Sequence, residues 1–139
     1  MAPNVFNMNK QELFCFLIDD DADDREFFTS ALTELDASIK LESAKSAREA
    51  IDRLSKSRNN IPDFIFLDLN MQPISGSECL VSLKKIAHIA EVPVVIYSTS
   101  LNEKVIYDTL KQGAFDHIEK PAEKKVLCDY LKRLLQIAE

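Results

Sequence analysis

The stretch from Pro62 to Gly76 constrains the fold more than any other. Phe64-Ile65-Phe66-Leu67 runs apolar without a break, stops on Asp68, and gives way to Leu69-Asn70-Met71-Gln72-Pro73-Ile74-Ser75-Gly76. An apolar run so short, opened by Pro-Asp and closed by turn residues, reads as a strand buried on both faces. Such strands belong to parallel sheets covered by helices, where ligands sit beyond the carboxyl ends of the strands. Asp68 is then either a solvated turn aspartate or a site residue. The other strand ends decide between the two.

Leu13 to Ile18 is a second continuous apolar run, and it too stops on acid, at Asp19-Asp20-Asp21, with Asp23 and Asp24 following. Phe28, Ala31, Leu32 and Leu35 at helical spacing place a helix start near Asp23. Capping that helix suits Asp21, Asp23 and Asp24, and suits Asp19 and Asp20 less well because they sit at the strand end. Ser38 to Ser43 alternates polar and apolar, as an edge strand does. Ala47, Ala50, Ile51 and Leu54 then form the stripe of a second helix. After Gly76 a third helix turns Leu80, Leu83, Ile86 and Ala87 inward, with His88 as a histidine at its C-terminal end. Val92 to Tyr97 is a buried-type strand stopping on Ser98-Thr99-Ser100; Tyr97 reads as core or partly buried. Asn102 to Gln112 is a helix with a thin apolar stripe, Ile106 and Leu110, ended by Gly113. A fifth strand, Ala114 to Glu119, stops on Lys120-Pro121, and Ala122 to Glu139 closes as an amphipathic helix around Leu127, Tyr130, Leu131 and Leu134.

Strict alternation of five strands and five helices predicts right-handed crossovers and one α/β domain. The expected fold is a flavodoxin-like, doubly wound (βα)5 arrangement whose five-stranded parallel sheet has the order 2-1-3-4-5. Residues 1–11 read as a short disordered lead-in without the features of a signal peptide, and 12–139 as the domain. The 17 basic and 23 acidic residues leave a net charge of −6 with no Lys/Arg-rich block, which argues against nucleic acid and against a membrane surface as direct partners. Cys15, Cys79 and Cys128 lack zinc spacing and read as small buried hydrophobes, in keeping with a cytoplasmic location. Gly76 and Gly113, the only glycines, rule out a Gly-rich phosphate loop.

In the predicted strand order Asp19, Asp20, Asp68, Ser98 and Lys120 all reach one edge of the sheet, with the first and third strands adjacent at the switch point. Two unit charges about 4 Å apart at an effective dielectric of about 20 interact by roughly 4 kcal/mol. Three clustered carboxylates therefore call for a cation, and hard oxygen ligands with room for water and phosphate suit Mg²⁺. Lys120 supplies a second positive charge and Ser98 a hydroxyl. This is the outline of phosphoryl transfer, in which a carboxylate attacks phosphorus while metal and lysine offset the charge.

With Ile18-Asp19-Asp20, Asp68-Leu69-Asn70-Met71 with Gly76, Ser98 after an apolar strand, and Lys120-Pro121, the chain from about Leu13 resembles the receiver domain of two-component response regulators. The resemblance implies that Asp68 is the phosphoacceptor and that Asp20, Asp68 and the Asn70 carbonyl bind Mg²⁺, with Asp19 reaching the metal directly or through water. It implies that Ser98 is the switch hydroxyl, that Lys120 contacts the phosphoryl group, and that the bond before Pro121 is cis. Asn70 and Ser100 occupy the places that modulate phosphate lifetime. The sequence departs from the family's pattern in having Gln72 then Pro73 where a proline usually stands at the earlier position. It departs again at His117, which replaces the usual aromatic ring and acts either as the switch ring or as an exposed strand residue.

The implied function is that of a stand-alone response regulator, not an enzyme, that takes phosphate from a histidine kinase or phosphotransfer protein. It would signal to a downstream protein through the face of the fourth helix, fifth strand and fifth helix, as a monomer or a weak phosphorylation-dependent dimer. Two other readings compete: a phosphate-independent adaptor, and a Mg²⁺-dependent phosphohydrolase working through an aspartyl-phosphate. Intact Asp20, Asp68, Ser98 and Lys120 oppose the first. Asn70, where those hydrolases generally place a second aspartate, opposes the other.

Overall fold

The structure, a computed structural model, describes residues 12–136; the lead-in expected over 1–11, and positions 137–139 of the helix expected to run to Glu139, lie outside them. The elements in order are β1 (Phe14–Ile18), α1 (Ala22–Leu35), β2 (Lys40–Ala44), α2 (Ala47–Lys56), β3 (Phe64–Leu67), α3 (Gly76–Lys84), β4 (Val94–Ser98), α4 (Glu103–Lys111), β5 (Asp116–Glu119) and α5 (Lys124–Leu135). All strand pairs are parallel, in the order β2-β1-β3-β4-β5. The doubly wound sheet expected from the alternation is the one observed.

Every residue of β1, β3 and β4 is buried, as continuous apolar runs require when helices cover both faces. On one face Cys15, Leu17, Phe66, Val95 and Tyr97 meet α1 and α5 through Phe28, Leu32, Leu127 and Leu131. Phe28 anchors this layer, its ring 4.9 Å from that of Phe66 and 5.4 Å from that of Tyr97. On the other face Phe16, Ile18, Ile65, Leu67 and Ile96 pack on Ala50 and Leu54 of α2 and Leu80 and Leu83 of α3. Cys15 and Cys79 lie within these two layers, and burial pushes the Cys79 thiol up to about 12. Among the described residues no helix is long and apolar enough to cross a membrane.

Local details depart from the expectations at four places. The third helix stops at Lys84, so Ala87 is exposed and His88 is not at its end; His88 Nε2 instead lies 2.8 Å from the Leu54 carbonyl, serving the C-terminal turn of α2. In α4 the residue turned inward is Thr109, not Leu110, which is exposed. The fifth strand begins at Asp116, after an exposed Phe115. The cis peptide among the described residues precedes Pro73, and the Lys120–Pro121 bond, expected cis, is trans. The two isomers of a bond before proline differ by only about 0.5–1 kcal/mol, so local surroundings, rather than the presence of proline, decide between them.

Candidate functional site

The ladders continue one residue past the strands and fix the groups beyond them. Asp19 donates its N–H to the Ala44 carbonyl (3.1 Å), Asp68 to Ile18 (3.0 Å), and Lys120 to Ser98 (2.8 Å). The carboxylates of Asp19 and Asp68 therefore rise side by side from adjacent strands, and the Lys120 backbone is tied to the end of β4. Asp19 and Ser98 are fully buried and Asp68 nearly so, whereas Asp20 is exposed.

Lys120 Nζ lies 2.7 Å from Asp24 Oδ2, 2.8 Å from Asp19 Oδ2 and 3.2 Å from Asp68 Oδ2, with only 8% of its side chain exposed. It donates directed hydrogen bonds to Asp24 and Asp68. Its approach to Asp19 Oδ2 is an ion pair by distance but off the hydrogen-bonding direction, so that buried oxygen has a counter-charge and no aligned donor. Burial alone would push the ammonium down; the short contacts with Asp19 and Asp24 and the charges of Asp19 and Asp68 more than reverse this and raise it. Burial raises the Asp19 carboxyl to about 6, although Lys120 and the Asp21 N–H pull the other way. The Lys120 ammonium also stands 5.4 Å from the centre of the Tyr97 ring, which joins the site to the core layer on Phe28.

Asp19, Asp20 and Asp68 each offer a carboxylate oxygen within 4.8 Å of the others. Three carboxylate oxygens at that spacing fit a hard divalent cation. Asn70 lies over the cluster. Its N–H donates to Asp68 Oδ1 (3.1 Å), and its side-chain amide donates to Ser98 Oγ (3.2 Å) and Thr99 Oγ1 (3.1 Å). Ser98 is thereby tied through Asn70 to the Asp68 turn. Ser100 is exposed, with no hydrogen bond among the described residues linking it to Asp68. His117 stands away from the cluster, half-buried, its Nε2 2.6 Å from Thr109 Oγ1.

Sequence reasoning brought Asp19, Asp20, Asp68, Asn70, Ser98 and Lys120 together, and it passed over Asp24. The signal lay in the cap pattern. Asp21 caps α1 by accepting from the Asp24 N–H (3.0 Å), but the Asp21 N–H, which the third residue takes in a complete capping box, is held by Asp19 Oδ1 (3.0 Å). The Asp24 carboxylate is released from the cap and turns to Lys120.

The profile of the response regulator receiver domain family matches residues 15–132. A response regulatory protein of Vibrio cholerae is 32% identical over 124 residues, covering 89% of this chain and 49% of that protein. A protein-glutamate methylesterase/protein-glutamine glutaminase of Rhodopseudomonas palustris is 31% identical over 116 residues, covering 82% of this chain and 30% of that protein. The chain thus spans half or less of the length of these relatives. Among solved structures, the phosphorylated cyanobacterial phytochrome response regulator RcpA superposes with a TM-score of 0.82 at 25% identity, over 92% of this chain and 97% of its own. The Vibrio cholerae chemotaxis protein CheY4 does so with a TM-score of 0.76 at 23% identity, over 88% and 98%, a likeness of fold.

Proposed function

The chain belongs to the response regulator receiver domain family, and on that premise we propose that Asp68 accepts a phosphoryl group from a histidine kinase or phosphotransfer protein. The observation that carries the reading is the cluster itself: a nearly buried carboxylate hydrogen-bonded to one lysine and flanked by two more carboxylates. An Asp68 oxygen forms the new bond to phosphorus while the bond from phosphorus to the donor nitrogen breaks and the electron pair leaves with the donor. Lys120 offsets charge on the transferred oxygens, and Ser98, held near by Asn70, offers them its hydroxyl. Asp19, Asp20, Asp68 and the Asn70 carbonyl would hold Mg²⁺, which supplies charge neutralisation for the incoming phosphoryl group. The phosphorylated state of RcpA supports this by kinship.

The phosphoryl group adds about −1.5 to −2 charges. Its contacts with Ser98 and Lys120 bias the surface of α4, β5 and α5, where Tyr107, Leu110, Phe115 and Val126 are exposed apolar side chains suited to a protein partner. His117, on β5 and bonded to α4, is the ring that would report the change to this surface. Asn70 and Ser100 set the phosphate lifetime by what they present to attacking water. The protein works in the cytoplasm as an acceptor and not as a phosphohydrolase: the Asn70 amide is engaged as a donor to two hydroxyls and has no proton to give a leaving group.

Incubating the pure protein with Mg²⁺ and acetyl phosphate, and measuring intact mass, tests the reading. One phosphate on the wild type, absent without Mg²⁺ and absent from Asp68→Ala, is the expected result. No adduct, together with no binding of beryllofluoride, would replace the phosphoacceptor with a phosphate-independent adaptor.

A further inference from the structure

We propose that Asp24 is a positioning residue for phosphorylation of Asp68, acting as a second anchor that draws the Lys120 ammonium partly off the nucleophile; this rests on the phosphoacceptor reading above. The contact from Lys120 Nζ to Asp24 (2.7 Å) is shorter than that to Asp68 (3.2 Å), and both are directed hydrogen bonds. An ammonium bound tightly to Asp68 alone would tie up the electron pair that must attack phosphorus. It would also occupy the place where the incoming oxygens need a positive charge. Shared among Asp24, Asp19 and Asp68, with its shortest contact to Asp24, the same ammonium stays beside the reacting oxygens without neutralising them.

The fold builds this arrangement on purpose-shaped local structure. Asp24 occupies the third position of α1, the place from which the Glu or Gln of a capping box reaches back to the N–H of the capping residue. In α3 that exchange is complete: Ser75 accepts from the Glu78 N–H (3.2 Å) and Glu78 Oε1 accepts from the Ser75 N–H (3.0 Å). In α1 the return half is missing because Asp19 Oδ1 takes the Asp21 N–H, and Arg25 Nη1 donates to the Asp19 carbonyl (2.8 Å), fastening the strand end to the helix. The helix start and the site thus share Asp19, and the displaced Asp24 carboxylate points at the lysine. Asp23, one residue earlier, carries the same charge, is exposed, and does not touch Lys120.

The test compares Asp24→Asn with Asp23→Asn, which removes an equal charge from the same helical turn. Loss of one directed charged hydrogen bond should slow phosphorylation of Asp68 by acetyl phosphate about tenfold in Asp24→Asn. Asp23→Asn should stay within about twofold of wild type, since an exposed charge is largely screened. Asp24→Glu, which retains a carboxylate, should recover part of the rate. In the metal-free protein the ¹⁵N resonance of the Lys120 ammonium should move in Asp24→Asn and stay in Asp23→Asn. Equal rates in the two asparagine variants, or an unmoved Lys120 resonance, would overturn the role of Asp24 alone. A wild type that takes no phosphate would overturn the phosphoacceptor reading and this role with it.

Discussion

Gly76 shows how narrowly single residues fix the site. It opens α3, its N–H bonds the Leu69 carbonyl (3.1 Å), and a Cβ there would overlap the Asp68 carbonyl oxygen and lie 2.5 Å from Leu69 Cα. The obstacle is backbone, which cannot swing aside as a long side chain can. Gly76→Ala is expected to cost about 1–3 kcal/mol in urea unfolding, as overpacking does, and to weaken beryllofluoride binding because the displaced segment carries Asp68. At this scale most of the site was legible. A carboxylate after a buried run, a hydroxyl after another and a lysine before proline are marks visible in sequence order. Asp24 was not legible, because its role depends on which acceptor takes the Asp21 N–H, and that choice is made by Asp19 across the turn.

Among the elements, α4 is the one whose inward face the apolar pattern misjudged. Leu110 fits a helical stripe with Ile106, yet Thr109 is buried, because its hydroxyl finds partners: it donates to the Val105 carbonyl (2.7 Å) and lies within hydrogen-bonding distance of His117 Nε2 of β5 (2.6 Å). Hydropathy ranks leucine above threonine and is blind to such satisfaction. Burial lowers the His117 ring below its ordinary 6.5, against an opposing pull from Asp116. A lowered folded-state value means that the unfolded chain binds the extra proton first. The stabilisation is therefore present above pH 6.5 and is lost as pH falls from there toward the folded-state value. Asp19, raised to about 6, acts in the opposite sense over the same range, so the comparison isolates the ring: in thermal melts from pH 7.5 to 5 the change on acidification should be less favourable in the wild type than in His117→Asn. Thr109→Val, which removes the hydroxyl partner of the half-buried ring, is expected to cost about 1 kcal/mol at neutral pH.

For the molecule as a whole, the strand order was legible because alternating elements admit few topologies, and that order alone delivers Asp19, Asp20 and Asp68 to one edge. What the order leaves open is the distribution of charge once they arrive. Lys120 pairs with Asp19, Asp24 and Asp68, and Asp20 stands beside them without a share in that lysine. In a chain of net charge −6, this corner concentrates repulsion that the apo fold must carry for the sake of the chemistry. Asp20→Asn removes the charge that Lys120 does not serve while keeping the shape of the side chain. The metal-free variant is expected to melt about 3–5 °C above the metal-free wild type at low salt, a shift worth roughly 1 kcal/mol. Addition of Mg²⁺ should reverse the order, because a ligand that binds only the folded state raises its stability with concentration, and Asp20→Asn lacks one of the carboxylates that hold the ion. Paired melting curves with and without Mg²⁺ decide it. If the metal-free variant melts below the wild type, Asp20 is a structural partner in the turn and not a charge retained for the metal.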